Sequence, residues 1–338
     1  MSAPTDHRSL PPLIVAAKRD GEPMAVIDVT DPRFAVPDDR DSLQRLLDAS
    51  RKEERRRRHV PRFVMRWMLR RTAKRSRLLR DMFGGTSAFL DGITTYVMKL
   101  GADNLPASYD NPTERRIAAM PNLTLLRLRT QQVARLVADG LGPELTAAPT
   151  APLHLINIAG GPAVDSMNSL IILNRRDNAL LRRPIVIHVL DSDEAGPFFG
   201  RNALAALMAE GAPLAGLDVT FDHRNYNWNE PASLEALLRD LNAAGAVVAV
   251  STEGGLFEYG SDDAIVSNLQ ALRTGGVKQI AGSVTADDEA RRQMITASRF
   301  KLIPRGLNGF APLAERGGYR IVQAETAQIS DQILLAPV

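Results

Sequence analysis

Beyond residue 150 the chain alternates short apolar runs with amphipathic stretches, and this alternation limits the possible folds more than any other feature. Strands are expected at 153–158, 185–190, 218–222, 246–251 and 277–283, with helices at 166–181, 200–210, 231–243 and 262–273. Strand and helix repeated in this way build a doubly wound parallel sheet with right-handed crossovers, an α/β fold. Two further extended runs, 319–328 and 332–337, are parted by Ile329, Ser330 and Asp331 and predict a C-terminal antiparallel hairpin. Ligands of such sheets sit at the carboxyl ends of the strands, near the point where strand order reverses.

The preceding residues obey a different pattern. Residues 1–40 are Pro-rich and mixed, predicting an irregular arm with a short strand. From 41 to 145 the periodicity is helical, as in Leu43, Leu46 and Leu47, and in Val60, Phe63, Val64, Trp67 and Met68, a stripe that should pack against an apolar surface. Thr86 or Ser87 is a candidate cap for a helix over 88–100 that stops at Gly101, and a helix after Pro121 is expected to close at Gly140. The Pro/Ala/Thr-rich stretch 142–152 then separates this helical domain from the sheet domain, 146–338.

With 338 residues, 44% of them hydrophobic, the chain can bury a large core. It has no cysteine, which excludes disulfides, thiolate nucleophiles and cysteine-ligated metals and fits a cytoplasmic setting. The start lacks the apolar core of a secretory signal, and no apolar run reaches the length of a membrane span, so no membrane insertion is expected. The net charge of +3 conceals a segregation: residues 51–80 carry fourteen Lys/Arg against Glu53 and Glu54, a local +12 that leaves −9 elsewhere.

HLINIAGGPAVDS (154–166) leads from an apolar run through two glycines to an acid and a serine. A turn this bare lets a ligand approach the main chain, and the helix after it offers free N–H groups and partial positive charge. From Gly160 the residues read G-G-P-A-V-D, which breaks the dinucleotide pattern G-x-G-x-x-G, and no G-x-x-x-x-G-K-[ST] loop occurs. A phosphate-rich ligand is not favoured.

NIAGGPA (157–163) instead resembles the first motif of class I S-adenosylmethionine-dependent methyltransferases, an acid followed by three spaced glycines. Asn157 stands at the acidic position, Ala159 and Ala163 at the outer glycines, and Gly161 at the central one, with Gly160 beside it. STEGGLFEYG (251–260) is similar to the stretch after the fourth strand in leucine-carboxyl and polyketide-type members. The likeness spans about 150–338 and implies a Rossmann-like domain binding S-adenosyl-L-methionine, with Asp191, or Asp193 in its place, on the ribose hydroxyls. It also implies Asp222 and His223 near the adenine and Ser251 beside the cofactor. The spacing from Asn157 to Asp191 exceeds the family's, and 175–183 is the expected insertion.

The resemblance implies in-line methyl transfer to an O, N or C atom of a small molecule, free or held on a carrier protein. Candidate bases at strand ends are Glu253, His223, Glu258 and Tyr259, while His154 and His188, within strands, read as structural. Two alternatives remain open: aminocarboxypropyl transfer or ring closure releasing methylthioadenosine, and a non-catalytic module holding the cofactor or RNA. DGITTYVMKLGADNLP (91–106) resembles the family's lid helix, with Tyr96, Met98 and Lys99 either lining the pocket or sitting in the core. For the basic segment, neutralisation within the protein or across a homodimer competes with an acidic partner. Nucleic acid is the less favoured partner, since no aromatic platform is interleaved with the charges.

Overall fold

The computed structural model describes residues 11–58, 64, 67, 71–84, 90–297 and 301–338. The arm pairs β1 (Val15–Ala17) with β2 (Pro23–Ala25) antiparallel. It does not dangle: Met24, Ile27 and Phe34 are buried in the main core. Helices α1 (Arg40–Arg58), α2 (Arg77–Gly84), α3 (Gly92–Leu100), α4 (Pro112–Ala118) and α5 (Pro121–Ala147) follow. Thr86 and Ser87 lie outside the described residues, and α3 is capped instead by Asp91, whose Oδ1 accepts the Thr94 N–H at 2.7 Å.

The remainder is β3 (Leu153–Ile158), α6 (Val164–Arg176), β4 (Ile185–Leu190), α7 (Ala195–Leu207), β5 (Val219–Arg224), α8 (Ala232–Ala243), β6 (Val247–Thr252), α9 (Leu256–Tyr259), α10 (Asp262–Thr274), β7 (Ile280–Thr285), α11 (Glu289–Ala297), α12 (Gly306–Arg316), β8 (Tyr319–Thr326) and β9 (Ser330–Pro337). The seven-stranded sheet runs β5-β4-β3-β6-β7-β9-β8, parallel except where β9 pairs antiparallel with β7 and β8. This is the α/β doubly wound, Rossmann-like architecture with a C-terminal hairpin that the sequence predicts. Alternate strand residues face two cores: Leu155, Ile187 and Val189 join α3, α5, α6 and α7, whereas Ile156, Leu190 and Val250 join α8, α10 and α12.

Several boundaries depart from expectation for local reasons. Helix α5 runs through Gly140 to Ala147, with Pro143 inside it, because Leu141 and Leu145 are fully buried in the core and outweigh the breakers. Helix α7 starts five residues before the expected 200, since the Asp193 carboxylate accepts the Ala195 and Gly196 N–H groups. Helix α6 ends at Arg176, and Asp177 then caps a 3-10 turn at Asn178–Leu181. The hairpin turn is 327–329, since Ser330 and Asp331 already pair with β7. Of the apolar stripe, Val60, Phe63 and Met68 lie outside the described residues. Trp67 does not pack as expected: it is 59% exposed, with the Arg71 guanidinium 5.5 Å from its ring centre. No helix among the described residues is long and apolar enough to cross a membrane.

Candidate functional site

Strands β4 and β5 extend from one side of β3, β6 and β7 from the other, which puts the switch point between β3 and β6. The turn after β3 holds Ala159, Gly161 and Ala163 all at φ 56°. Glycine adopts this left-handed conformation freely, whereas each alanine bears about 1 kcal/mol of strain. The alanines at the outer motif positions therefore keep the path of a glycine turn. Helix α6 begins directly after it, with Ala163 at the cap position offering no side-chain acceptor to its first N–H groups.

Beneath the turn lies a buried polar knot. Asn157 Nδ2 donates to Asp165 Oδ1 at 2.7 Å and to Ser251 Oγ at 3.1 Å. A Cβ on Gly160 would stand 2.1 Å from Asn157 Oδ1, so the glycine lets the main chain lie on the amide. That oxygen has no hydrogen-bond partner among the described residues. Burial and the nearby Glu253 carboxylate push the Asp165 carboxyl up to about 6. Asp165, a residue the sequence reading did not single out, thus places a buried carboxyl against the Asn157 amide.

At the end of β4, Asp191 Oδ2 accepts the Gly161 N–H and Oδ1 the Asp193 N–H, both at 2.9 Å. Burial raises its pKa. Asp193 is more fully engaged, accepting from Ala195 at 3.1 Å, Gly196 at 3.0 Å and Gly92 at 3.3 Å. The His223 ring packs over the same strand end, its Nε2 3.0 Å from the Asp191 carbonyl, which makes Nε2 the protonated nitrogen. Asp222 points elsewhere, to His188 Nδ1 at 3.0 Å and Arg224 Nε at 2.8 Å. His188 in turn meets His154 at 2.9 Å, and burial holds His154 down near 4. Asp222 therefore belongs to a polar chain across the sheet face.

At the end of β6, Glu253 is clasped by Lys99 of α3 and Arg129 of α5, and Arg129 also reaches Glu258 at 3.1 Å. Burial opposes ionisation of Glu253, but Arg129 and Lys99 outweigh it and hold the carboxyl at about 2. A carboxylate so paired is a poor proton acceptor at neutral pH. The Tyr259 phenol is raised by burial, with the Glu258 charge adding to it, and stays protonated. Neither residue is set up as the base the sequence suggested. Tyr96 and Met98 lie in the core rather than the crevice, the Tyr96 hydroxyl being fixed between Ile27 N–H and the Ala25 carbonyl at 2.8 Å each. The Arg129 clasp gave no sequence signal, being one of three arginines in α5 with nothing in the spacing to single it out. Among the described residues no His/Asp/Glu cluster could hold a metal ion.

No family model and no curated protein matches this chain. Among solved structures, a possible exported protein from Bordetella parapertussis matches at a TM-score of 0.52 and 13% identity, over 87% of this chain and 95% of its own. That likeness establishes a shared fold along nearly the whole length. The pyocyanin biosynthetic protein PhzM matches at 0.40 and 12% identity, over 67% of this chain and 59% of its own. An O-methyltransferase family protein from Burkholderia thailandensis matches at 0.38 and 16%, over 67% and 60%.

Proposed function

We propose that this protein binds S-adenosyl-L-methionine at the switch point and transfers its methyl group to a small-molecule acceptor. The observation that carries the reading is the meeting of Asp191 with the Gly161 N–H, which sets a carboxylate and a bare turn side by side at the carboxyl ends of neighbouring strands. The residues fit such a ligand chemically: Asp191 keeps lone pairs for two adjacent hydroxyls, the uncapped α6 start suits a carboxylate tail, and Asn157 Oδ1 is an unused acceptor under the turn. Of the two candidate carboxylates we assign the ribose to Asp191, because Asp193 already serves three backbone donors.

The cofactor supplies an electrophilic carbon on a sulfonium, so the protein needs to orient and to exclude water more than to move protons. His223 is then the remaining side chain of the proposed set placed to exchange a proton, while Glu253 anchors α3 and α5 to β6. The small-molecule acceptor rests on the resemblance of the 251–260 stretch to natural-product members. A second reading, a holder of the nucleoside without chemistry, draws on the neutralised Glu253.

Calorimetric titration of S-adenosylhomocysteine into the protein and its Asp191→Ala variant tests the proposal. Binding that weakens at least tenfold in the variant is expected; no binding at millimolar ligand, or equal affinity in both proteins, refutes it.

A further inference from the structure

Three glycines from separate elements meet backbone to backbone at the crevice. A Cβ built on Gly92 would stand 3.1 Å from the Gly161 Cα, 3.1 Å from Asp193 Oδ2 and 3.2 Å from the Gly196 Cα. One built on Gly196 would stand 2.9 Å from the Gly161 Cα. These neighbours are mostly main-chain atoms that cannot swing aside, so a side chain at Gly196 would force the backbone to shift and one at Gly92 would be tightly crowded. The bare face of Gly161, where a ligand's tail would lie, is already covered by the start of this chain's own α3.

The two ends of α3 are held very differently. Tyr96, Val97, Met98, Lys99 and Leu100 are all buried, with Tyr96 fixed to the arm and Lys99 to Glu253. At the other end Asp91 is exposed, Gly92 and Ile93 are half-exposed, with Ile93 resting on the core, and only Thr94 is buried. The first turn is retained by the Asp91 cap on Thr94, by the Thr95 N–H and hydroxyl donating to the Asp91 carbonyl, and by the 3.3 Å bond from the Gly92 N–H to Asp193. Helix ends held mainly by local hydrogen bonds open at lower cost than the packed remainder, which stays in place.

Building on the proposed cofactor site, we infer that the first turn of α3, residues 91–94, occupies the ligand seat itself and that the nucleoside's amino-acid end enters by displacing it. The turn is a built-in competitor: apparent affinity is the intrinsic affinity reduced by the fraction of molecules in which the turn is lifted. Removing the cap raises that fraction without placing bulk in the seat. A cap is worth about fivefold in the opening equilibrium.

Amide hydrogen exchange on the full chain with and without millimolar S-adenosylhomocysteine, together with titration of the Asp91→Ala variant, decides the matter. Ligand should speed exchange at 92–94, slow it at 159–163 and leave 96–100 unchanged; the variant, with unaltered circular dichroism, should bind about fivefold more tightly. Ligand that binds the parent protein but slows exchange at 92–94, or a folded variant with unchanged affinity, overturns the displacement and leaves the cofactor reading standing. Ligand that binds neither protein, even where the variant's 92–94 amides exchange faster, removes the cofactor reading and this inference with it.

Discussion

Lys99 and Glu253, 154 positions apart, form an ion pair whose side chains are only 5% and 4% exposed, and it ties the helical front to the sheet at the mouth of the crevice. Arg129 takes the other carboxylate oxygen and extends the cluster to Glu258. A buried pair adds little net stability, but stripping one partner leaves a charge stranded away from water.

The two cations are therefore unequal. Either loss leaves two carboxylates to one cation, but Lys99→Met keeps both carboxylates in contact with Arg129, whereas Arg129→Met takes the guanidinium from Glu258 and leaves Glu253 with Lys99 alone. Urea unfolding should show a loss of about 3–5 kcal/mol for Arg129→Met and a clearly smaller one for Lys99→Met. A reversed order would show that Lys99 is the principal counter-charge.

Asp165 and His154 make stability depend on pH with opposite signs over one window. The Asp165 carboxyl sits near 6 against an ordinary 3.8, so the folded protein keeps a proton that the unfolded chain has released. Its contribution falls as pH rises from about 4 to 6. His154 sits near 4 against 6.5, so the unfolded chain takes up a proton the folded one refuses, and stability falls as pH drops from 6.5 towards 4. Asp165→Asn removes only the first effect. Its stability relative to the parent should climb between pH 4 and 6 in chemical unfolding, and parallel curves would contradict the assignment.

Glu253 governs the acid limit. With its carboxyl near 2 rather than 4.5, its pairing contributes fully above about 4.5 and is lost as pH falls towards 2. Glu253→Gln should flatten the acid unfolding profile below pH 4.5, monitored by tryptophan fluorescence, at the expense of stability at neutral pH.

Ala159 tests the turn. Its left-handed backbone is strained for alanine, so Ala159→Gly should raise the unfolding free energy by up to about 1 kcal/mol. A loss of stability would mean that the Ala159 methyl, which faces Gly255, contributes more through contact than its backbone costs.

The strands were the most legible part of the sequence: 153–158 and 185–190 coincide with β3 and β4 because a largely buried parallel strand is written as a short, mostly apolar run, interrupted here by His154, Asn157 and His188. Local breakers misled where burial overrode them, as at Gly140 and Pro143 in α5. The bare turn, and the carboxylates Asp191 and Asp193 at the end of the next strand, were readable from position alone. The clasp on Glu253 was not, since periodicity reports which face of an element is buried and never which residue 124 or 154 positions away will meet it. The ion-pairing of Asp222 with His188 and Arg224 was equally hidden, since strand position does not report cross-strand side-chain partners.

Helix α5 carries one last consequence. It begins among the front helices and finishes against α6 and the sheet, unbroken across residues 142–147, where composition marks a linker. A rod shared in this way leaves no seam at which the polypeptide could be divided: severing it near 146 would unroof one side of the sheet and strip the front of its longest strut, so neither fragment should be recoverable as an independently folding piece.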